Sequence, residues 1–405
     1  MPHQPPSPRG PTAYFLGAGA SAAQGVPTTE KLGFGIAHYV RECQCNRDDP
    51  VALASYLTLV HGVGEDTIAR MAGAWTDYLR RRTERLPGSD GFPSLIELLS
   101  ILDLSIAKGL SFGPSERRRG RAPATFEFDT RTLADVREEL TNALVFTFHK
   151  LRSREIENRY DEFLDRLAPG DTLITTNWDT YLDFAMAGSA PGRRVDYGIP
   201  EARVSLRRGP AGTDTPPAGQ PPLLKLHGSL NWLFCPRCAN LHVNMHKDIA
   251  SFRGSEAERR RWPSDRYCGC GAEMDAVIVA PSFVKTYGNP HLARIWTQAQ
   301  KALEAAPRWV FIGYSLPSDD LEIRAMLLRA LATRRIQAAP PAVEVYTAGS
   351  RPDLEGRYAD LLRGCPMRID GRGFEGFIEG GGGEDQPPAL SPADHSRVPR
   401  ASARR

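Results

Sequence analysis

Alternating short apolar segments and helical segments predict an α/β protein built on a parallel, Rossmann-like sheet. Six short apolar segments are strand candidates, at 14–16, 171–176, 223–226, 276–280, 309–313 and 343–346. Helical patterns at 291–305 and 319–333 separate the later candidates. Polar or glycine-containing clusters follow four of the candidates, and ligands bind beyond the carboxyl ends of parallel strands. We therefore expect a binding site at that edge of the sheet.

The overall composition is typical of a globular protein. The 405 residues are 41% hydrophobic and 24% charged, which excludes a wholly disordered, collagenous or disulfide-scaffold chain. The net charge is only +3, from 51 Lys and Arg against 48 Asp and Glu, so a generally basic nucleic-acid-binding protein is not expected. The sequence has no apolar run of about 18 residues and no apolar signal core at 1–15, which predicts a cytoplasmic protein without a membrane span.

Changes in composition divide the chain into a folded unit at 12–380 and two tails. Residues 1–11 contain five prolines, and we expect this segment to be disordered. Residues 381–405 are first rich in glycine and proline and then polar and basic, so a second disordered tail is expected there.

A long helical region is predicted at 36–168, between the first two strand candidates. Apolar residues recur at three and four spacing in pieces such as 94–99 and 133–150, which is the pattern of amphipathic helices. The arginine-containing segment 113–123 interrupts this region and is expected to be a solvated loop.

The first strand candidate leads into the sequence GAGASA, which contains Gly17, Ala18, Gly19 and Ser21. This matches the loose G-x-G-x-x-(G/A) fingerprint, in which glycines let the backbone approach a pyrophosphate at a helix N-terminus. A plain strand-to-helix turn is an equally good interpretation of the same residues.

The second strand candidate is followed by Asn177 and Asp179. Asn177 supplies a hydrogen-bond donor and an acceptor, and Asp179 an acceptor, so the pair could hold ribose hydroxyls or a water molecule. The alternative is an Asx cap of the following helix, a role for which Asp179 is better placed than Asn177.

The third strand candidate ends at His227, which precedes Gly228. An imidazole titrates near neutral pH and suits proton transfer with a sugar hydroxyl or water. A lone histidine is more often structural, but its position at a strand end beside the other clusters favours a catalytic role.

Seven cysteines are too few for a disulfide framework in a chain of this length. Two close pairs are candidate metal ligands, Cys235 with Cys238 and Cys268 with Cys270. Together they could bind one zinc ion tetrahedrally, and four thiolates would leave the metal no open position for catalysis. The C-x-C spacing of the second pair is less usual, and His242 and His246 are candidate substitute ligands. A metal-free loop with reduced thiols is the alternative.

The clusters, in this order, resemble the motifs of the sirtuin (silent information regulator) superfamily. GAGAS at 17–21 with GVP at 25–27 resembles the first NAD-binding loop. TNWD, ending at Asp179, resembles the Gln-Asn-hydrophobic-Asp motif, and KLHGS around His227 resembles the segment with the catalytic histidine. GYS at 313–315 resembles the Gly-Thr-Ser loop that holds the adenine-side ribose.

The resemblance implies NAD as substrate and a zinc-ribbon-like module at 233–275 that holds a structural Zn²⁺. It implies catalytic roles for Asn177 and His227. It implies NAD contacts for nine residues, Gly17, Ala18, Gly19, Ser21, Thr176, Asp179, Gly313, Tyr314 and Ser315. The zinc ligands would be Cys235, Cys238, Cys268 and Cys270.

Departures from protein-deacylating sirtuins alter the expected activity. Thr28, Thr29 and Glu30 follow Pro27 where those enzymes have Asp-Phe-Arg, and Thr176 stands in place of their Gln. These features resemble bacterial sirtuin-like proteins of antiphage defence, so the resemblance implies hydrolysis of NAD to nicotinamide and ADP-ribose in antiphage or stress defence.

Two alternatives to hydrolysis remain at this point, an NAD-dependent protein deacylase and a non-catalytic sensor subunit that binds NAD or ADP-ribose. Analogy with the family also suggests a homo-oligomer formed through the helical insertion at 36–168, and an activator or partner protein of unknown identity. Neither a membrane nor a nucleic acid is an expected partner.

Overall fold

The computed structural model describes most of the chain, in the ranges 10–46, 52–81, 86–113, 128–152, 159–188, 194–200, 203–204, 216, 219–244, 267–279, 289–318 and 320–380. The tail predicted at 381–405 lies outside the described residues, and so does the tail predicted at 1–11 except for its last two residues. His246 also lies outside them.

The central sheet has six strands within the described ranges, and each neighbouring pair is parallel. In spatial order the strands are β10 (Met367–Asp370), β9 (Ala342–Tyr346), β8 (Arg308–Ile312), β1 (Thr12–Leu16), β2 (Thr172–Thr175) and β4 (Leu223–Lys225). β1 lies between β8 and β2 and is buried along its whole length, which explains its nearly continuous apolar sequence. The predicted α/β class with a parallel sheet is confirmed.

A second, smaller sheet corrects one sequence prediction. The strand expected at 276–280 forms as β7 (Asp275–Ile278), but it belongs to this second sheet and pairs antiparallel with β5 (Gly228–Phe234). The chain turns sharply at Gly228, whose φ is +78° and where a Cβ would lie 1.9 Å from the Val277 carbonyl oxygen. This turn directs β5 out of the parallel sheet.

In the same sheet, β6 (Leu241–Val243) pairs with β5, and β3 (Arg203–Val204) pairs with β6. The candidate cysteine module lies at one end of this sheet, since Cys235 follows β5 and Cys270 precedes β7.

Helices connect the strands of the central sheet. They are α1 (Ala18–Ala22), α7 (Tyr160–Leu164), α8 (Tyr181–Ala187), α9 (Pro290–Ala305), α10 (Leu321–Gln337), α11 (Pro352–Leu361) and α12 (Gly373–Glu379). The segments predicted at 291–305 and 319–333 correspond to α9 and α10. Of the helices described, none combines the length and apolar character required to cross a membrane.

A helical unit follows the first βα turn and has its own apolar core. Its five described helices are α2 (Leu32–Asn46), α3 (Ala52–His61), α4 (Glu65–Arg80), α5 (Leu95–Lys108) and α6 (Thr130–Arg152). Trp178 and Leu230 contribute to this core from the loop after β2 and from β5. The rings of Phe148 on α6 and Trp178 meet edge to face, with centroids 6.1 Å apart. The helical unit therefore packs directly against the loop that carries Asn177.

Candidate active site

A cavity of about 500 Å³ lies beyond the carboxyl ends of β1, β2, β4 and β8. Ten of the eleven residues predicted to bind or act on a ligand line it, namely Ala18, Gly19, Ser21, Thr176, Asn177, Asp179, His227, Gly313, Tyr314 and Ser315. Gly17 is not part of the lining. The parallel sheet thus brings four separate stretches of sequence to one cavity.

The glycines of the first loop allow two loops of the site to touch. A Cβ on Gly19 would lie 2.7 Å from the Cα of Gly313, and a Cβ on Gly17 would lie 2.5 Å from the Cα of Tyr314. The N–H of Gly17 donates to the carbonyl of Ile312 at 3.0 Å, and that of Gly19 to the carbonyl of Gly313 at 2.8 Å. Gly17 and Gly19 therefore allow the two backbone segments to pack closely. That they also bind a pyrophosphate stays a prediction.

Asn177 is held by both hydrogens of its side-chain amide. Its Nδ2 donates to the carbonyl oxygen of Gly17 at 2.9 Å and to Ser21 Oγ at 3.0 Å. Its backbone N–H donates to Thr175 Oγ1 at 3.0 Å. No hydrogen bond to Asn177 Oδ1 comes from any residue that the structure describes, so this oxygen is the acceptor that Asn177 offers to a ligand in the cavity.

Asp179 is buried and stabilises the loop around Asn177. Its Oδ2 accepts a hydrogen bond from Ser21 Oγ at 2.7 Å, and its Oδ1 accepts the Tyr181 N–H at 3.3 Å at the start of α8. Burial raises the pKa of Asp179, and the Lys225 ammonium opposes this shift. The cap residue of α8 is Thr180 and no side-chain hydrogen bond caps this helix, so the contact of Asp179 with Tyr181 is an Asx turn and not the helix cap considered as the alternative. The role of Asp179 toward a ligand stays a prediction.

His227 lies two residues after the end of β4 and is 5% exposed. Its carbonyl oxygen accepts the Val279 N–H at 2.9 Å, which ties the end of the parallel sheet to the second sheet. Its Nε2 lies 4.0 Å from Oδ1 of Asp320, and both side chains line the cavity. An imidazole so placed can exchange a proton with a bound hydroxyl or water.

Asp320 is a residue of the site that the sequence analysis missed. It directly precedes α10 and is 4% exposed. Its Oδ2 accepts a hydrogen bond from the hydroxyl of Tyr314 at 2.8 Å. An acidic residue at the start of a predicted helix normally indicates favourable interaction with the helix dipole, so its sequence context alone did not distinguish it.

The helical unit also contributes to the cavity, through Ile96 of α5 and Phe148 of α6. Glu30, Arg351 and Glu375 are further charged residues of the lining. These contacts join segments distant in sequence, and no local motif indicates them.

The four predicted metal ligands form a compact cluster. The sulfur atoms of Cys235, Cys238, Cys268 and Cys270 all lie within 4.8 Å of one another. The contacts of Cys235 with Cys270 and of Cys238 with Cys268 are each 3.5 Å. Bonds of about 2.3 Å to a tetrahedral zinc ion would separate the sulfurs by about 3.8 Å, so the cluster fits a metal ion.

His242, the candidate substitute ligand, lies beside this cluster. Its Nε2 is 3.4 Å from Cys268 Sγ. None of the four cysteines belongs to the described lining of the cavity. A metal held by them would therefore support the second sheet and not take part in chemistry at the cavity.

No family model and no curated protein matches the chain. Comparison with solved structures finds sirtuins. A crystal structure of Sir2 in complex with an inhibitor, 2′-O-acetyl-ADP-ribose and a deacetylated peptide shares 13% identity, with 91% of each chain covered and a TM-score of 0.32. Sir2Tm bound to a propionylated peptide shares 12% identity, with 91% of this chain and 90% of that chain covered and a TM-score of 0.32.

Proposed function

We propose that the chain is an NAD glycohydrolase, which cleaves NAD to nicotinamide and ADP-ribose. The observation that carries this proposal is that Asn177 and His227 line one cavity at the carboxyl edge of the sheet. A volume of about 500 Å³ lies within the range of cofactor and ligand sites. The motif resemblance to sirtuins supports NAD as the substrate.

In this reaction the bond between C1′ of the ribose and N1 of nicotinamide breaks, and its electron pair stays on N1. Nicotinamide therefore leaves as a neutral molecule and needs little acid catalysis. Water adds to C1′, and its proton leaves through a base. The transition state resembles an oxocarbenium ion, as in other glycosidic cleavages. The site must hold the ribose, tolerate developing positive charge and position one water molecule.

Asn177 and His227 suit these requirements. Both amide hydrogens of Asn177 are engaged within the protein, so its Oδ1 would accept a hydrogen bond from a ribose hydroxyl or from the attacking water. The partial negative charge on that oxygen would also favour positive charge on the ribose. His227 would accept the proton that the water releases.

The remaining predicted ligand contacts divide into holding and supporting roles. Ala18, Gly313 and Ser315 would lie along the pyrophosphate and the adenine-side ribose. Ser21 and Asp179, which hydrogen-bond to each other, would act chiefly by fixing the position of Asn177. Thr176, Gly17, Gly19 and Tyr314 would shape the loops that carry these contacts.

We also propose that the cysteine cluster holds a structural Zn²⁺ and that the enzyme acts in antiphage or stress defence. The sulfur positions support the metal, and the motif resemblance to antiphage sirtuin-like proteins supports the defence role. An activator or a second copy bound to the helical unit would control an activity that otherwise depletes the NAD of the host cell.

The test is incubation of the purified protein with NAD in the absence of peptide, with nicotinamide and ADP-ribose separated by chromatography. We expect release by the wild type and loss of release in Asn177→Ala and His227→Ala. His149→Ala, at an exposed histidine of α6, is the matched control and should retain activity. Thermal unfolding would verify that each variant is folded.

Two other results would contradict hydrolysis and indicate a different function. NAD consumption that requires an acylated peptide and gives an acylated ADP-ribose would indicate a deacylase. Stabilisation of the protein by NAD without any turnover would indicate a sensor subunit. Full activity in both active-site variants would contradict the assigned roles of Asn177 and His227.

A further inference from the structure

Asp320 is held in the wall of the cavity by two tyrosines. The hydroxyl of Tyr314 donates to Asp320 Oδ2 at 2.8 Å, and the hydroxyl of Tyr358 donates to the Tyr314 carbonyl at 2.8 Å. Tyr358 is fully buried on α11, and Tyr314 is 4% exposed. This arrangement fixes one carboxylate oxygen of Asp320 within the protein.

The other carboxylate oxygen is directed to His227. Asp320 Oδ1 lies 4.0 Å from His227 Nε2, and the two side chains are 4% and 5% exposed. This separation is longer than a hydrogen bond. It is short enough for the negative charge to stabilise an imidazolium, because an opposite charge within about 4–6 Å favours the charged form of a group.

We propose that Asp320 is a positioning residue that orients His227 and stabilises the imidazolium formed when His227 takes a proton. The inference rests on the proposed NAD hydrolysis. Asp320 would keep the ring proton on Nε2, so that the other ring nitrogen accepts the proton released when water adds to C1′. The proton then passes from the imidazolium to solvent after ADP-ribose leaves.

The other charged side chains near the cavity do not take the place of Asp320 beside His227. The further titratable side chains of the described lining are Glu30, Asp179, Tyr314, Arg351 and Glu375. Oδ2 and Oδ1 of Asp179 accept hydrogen bonds from Ser21 and Tyr181, and Glu375 lies 3.8 Å from Arg159. Lys225, two residues before His227, donates to Asp183 at 2.9 Å.

The decisive variant is Asp320→Asn, because asparagine keeps the shape of the side chain, can accept from Tyr314 and is a good helix N-cap. We expect kcat for nicotinamide release to fall about 10- to 100-fold with KM changed less than about twofold. The acid limb of the pH profile should move to lower pH, since an imidazole without the carboxylate protonates less readily.

A second measurement does not depend on activity. NMR of the His227 ring, assigned by its disappearance in His227→Ala, gives the titration midpoint in the ligand-free protein. Asp320→Asn should lower this midpoint by about 0.5–1 pH unit. Asp360→Asn is the matched control, because Asp360 lies on α11, its side chain is 79% exposed and it pairs with Arg363 at 3.4 Å; it should change neither readout.

The outcomes separate this inference from the proposed hydrolysis. An unchanged midpoint and pH profile in Asp320→Asn would overturn the role of Asp320, whether or not the wild type releases nicotinamide. A lowered midpoint in a protein that never turns NAD over would support the Asp320–His227 interaction and contradict hydrolysis. If Asp320→Asn does not fold, Tyr314→Phe, which removes the hydroxyl that holds Asp320, should shift the midpoint in the same direction by a smaller amount.

Discussion

Lys225 Nζ lies 2.9 Å from Oδ2 of Asp183, and both side chains are 1% exposed. The same ammonium donates to the carbonyl oxygen of Asp179 at 2.6 Å. Asp183 also accepts a hydrogen bond from the hydroxyl of Tyr197 at 2.5 Å. One buried ion pair therefore links the end of β4, two residues before His227, to the loop that holds Asn177.

Replacement of Lys225 should lower the free energy of unfolding. In Lys225→Met the Asp183 carboxylate loses its buried partner, which costs about 3–5 kcal/mol of unfolding free energy. Urea unfolding followed by circular dichroism measures the change. The double variant Lys225→Met with Asp183→Asn should lose less than Lys225→Met alone, because the unpaired charge is gone. Equal losses in the two variants would show that burial of the lone charge is not the cause.

Gly19→Ala should destabilise the contact between the two loops of the site. The new Cβ would lie 2.7 Å from the Gly313 Cα and 2.8 Å from its carbonyl oxygen, both backbone atoms that cannot rotate away. We expect a loss of about 1–3 kcal/mol in chemical denaturation. Gly73→Ala is the control, since nothing lies within 4 Å of a Cβ there. At this helical position the substitution should stabilise by about 0.5–1 kcal/mol.

The sequence predicts the parallel sheet and most of the cavity because both depend on local signals. Four of the six short apolar segments are followed by a polar or glycine cluster, and parallel strands bring their carboxyl ends to one edge. Asn177 and His227, which follow the neighbouring strands β2 and β4, thus line the same cavity. The four cysteines cluster because they form two pairs that are close in sequence, and both pairs lie at the same end of the second sheet.

The remainder of the site depends on packing that leaves no local signal. Asp320 approaches His227 because the loop after β8 crosses the sheet edge and α10 begins there. Phe148 reaches the cavity because the helical unit packs on Trp178. β5 was not anticipated from the sequence, and its departure from the parallel sheet depends on the turn at Gly228, which is visible only in three dimensions.

The cysteine cluster should hold one metal ion per chain. Elemental analysis of the purified protein should find about one zinc, and Cys235→Ser or Cys268→Ser should lose it. Chelation should lower the melting temperature, because metal binding contributes directly to folding free energy in such sites. Cys43→Ser, which changes a cysteine of α2 outside the cluster, should retain the metal. Full zinc content in both cluster variants would contradict this ligand set.

Acidification should weaken the helical unit through His61 at the end of α3. Burial lowers the pKa of His61 below its ordinary value of 6.5, with Glu97 opposing the shift. As the pH falls below about 6.5, the unfolded chain therefore binds a proton at this position before the folded chain does. The stability contribution of neutral His61 is fully present above that pH and is lost as the pH falls through the lower folded-state pKa.

Burial also lowers the pKa of His38 on α2, which acts in the same direction. Urea unfolding between pH 7.5 and pH 5.5 should show the free energy of unfolding falling with pH in the wild type, in a range where most carboxylates stay ionised. His61→Gln cannot titrate and should reduce this slope, whereas His149→Gln at an exposed position of α6 should not. The same slope in the wild type and in His61→Gln would show that His61 does not contribute to the pH dependence.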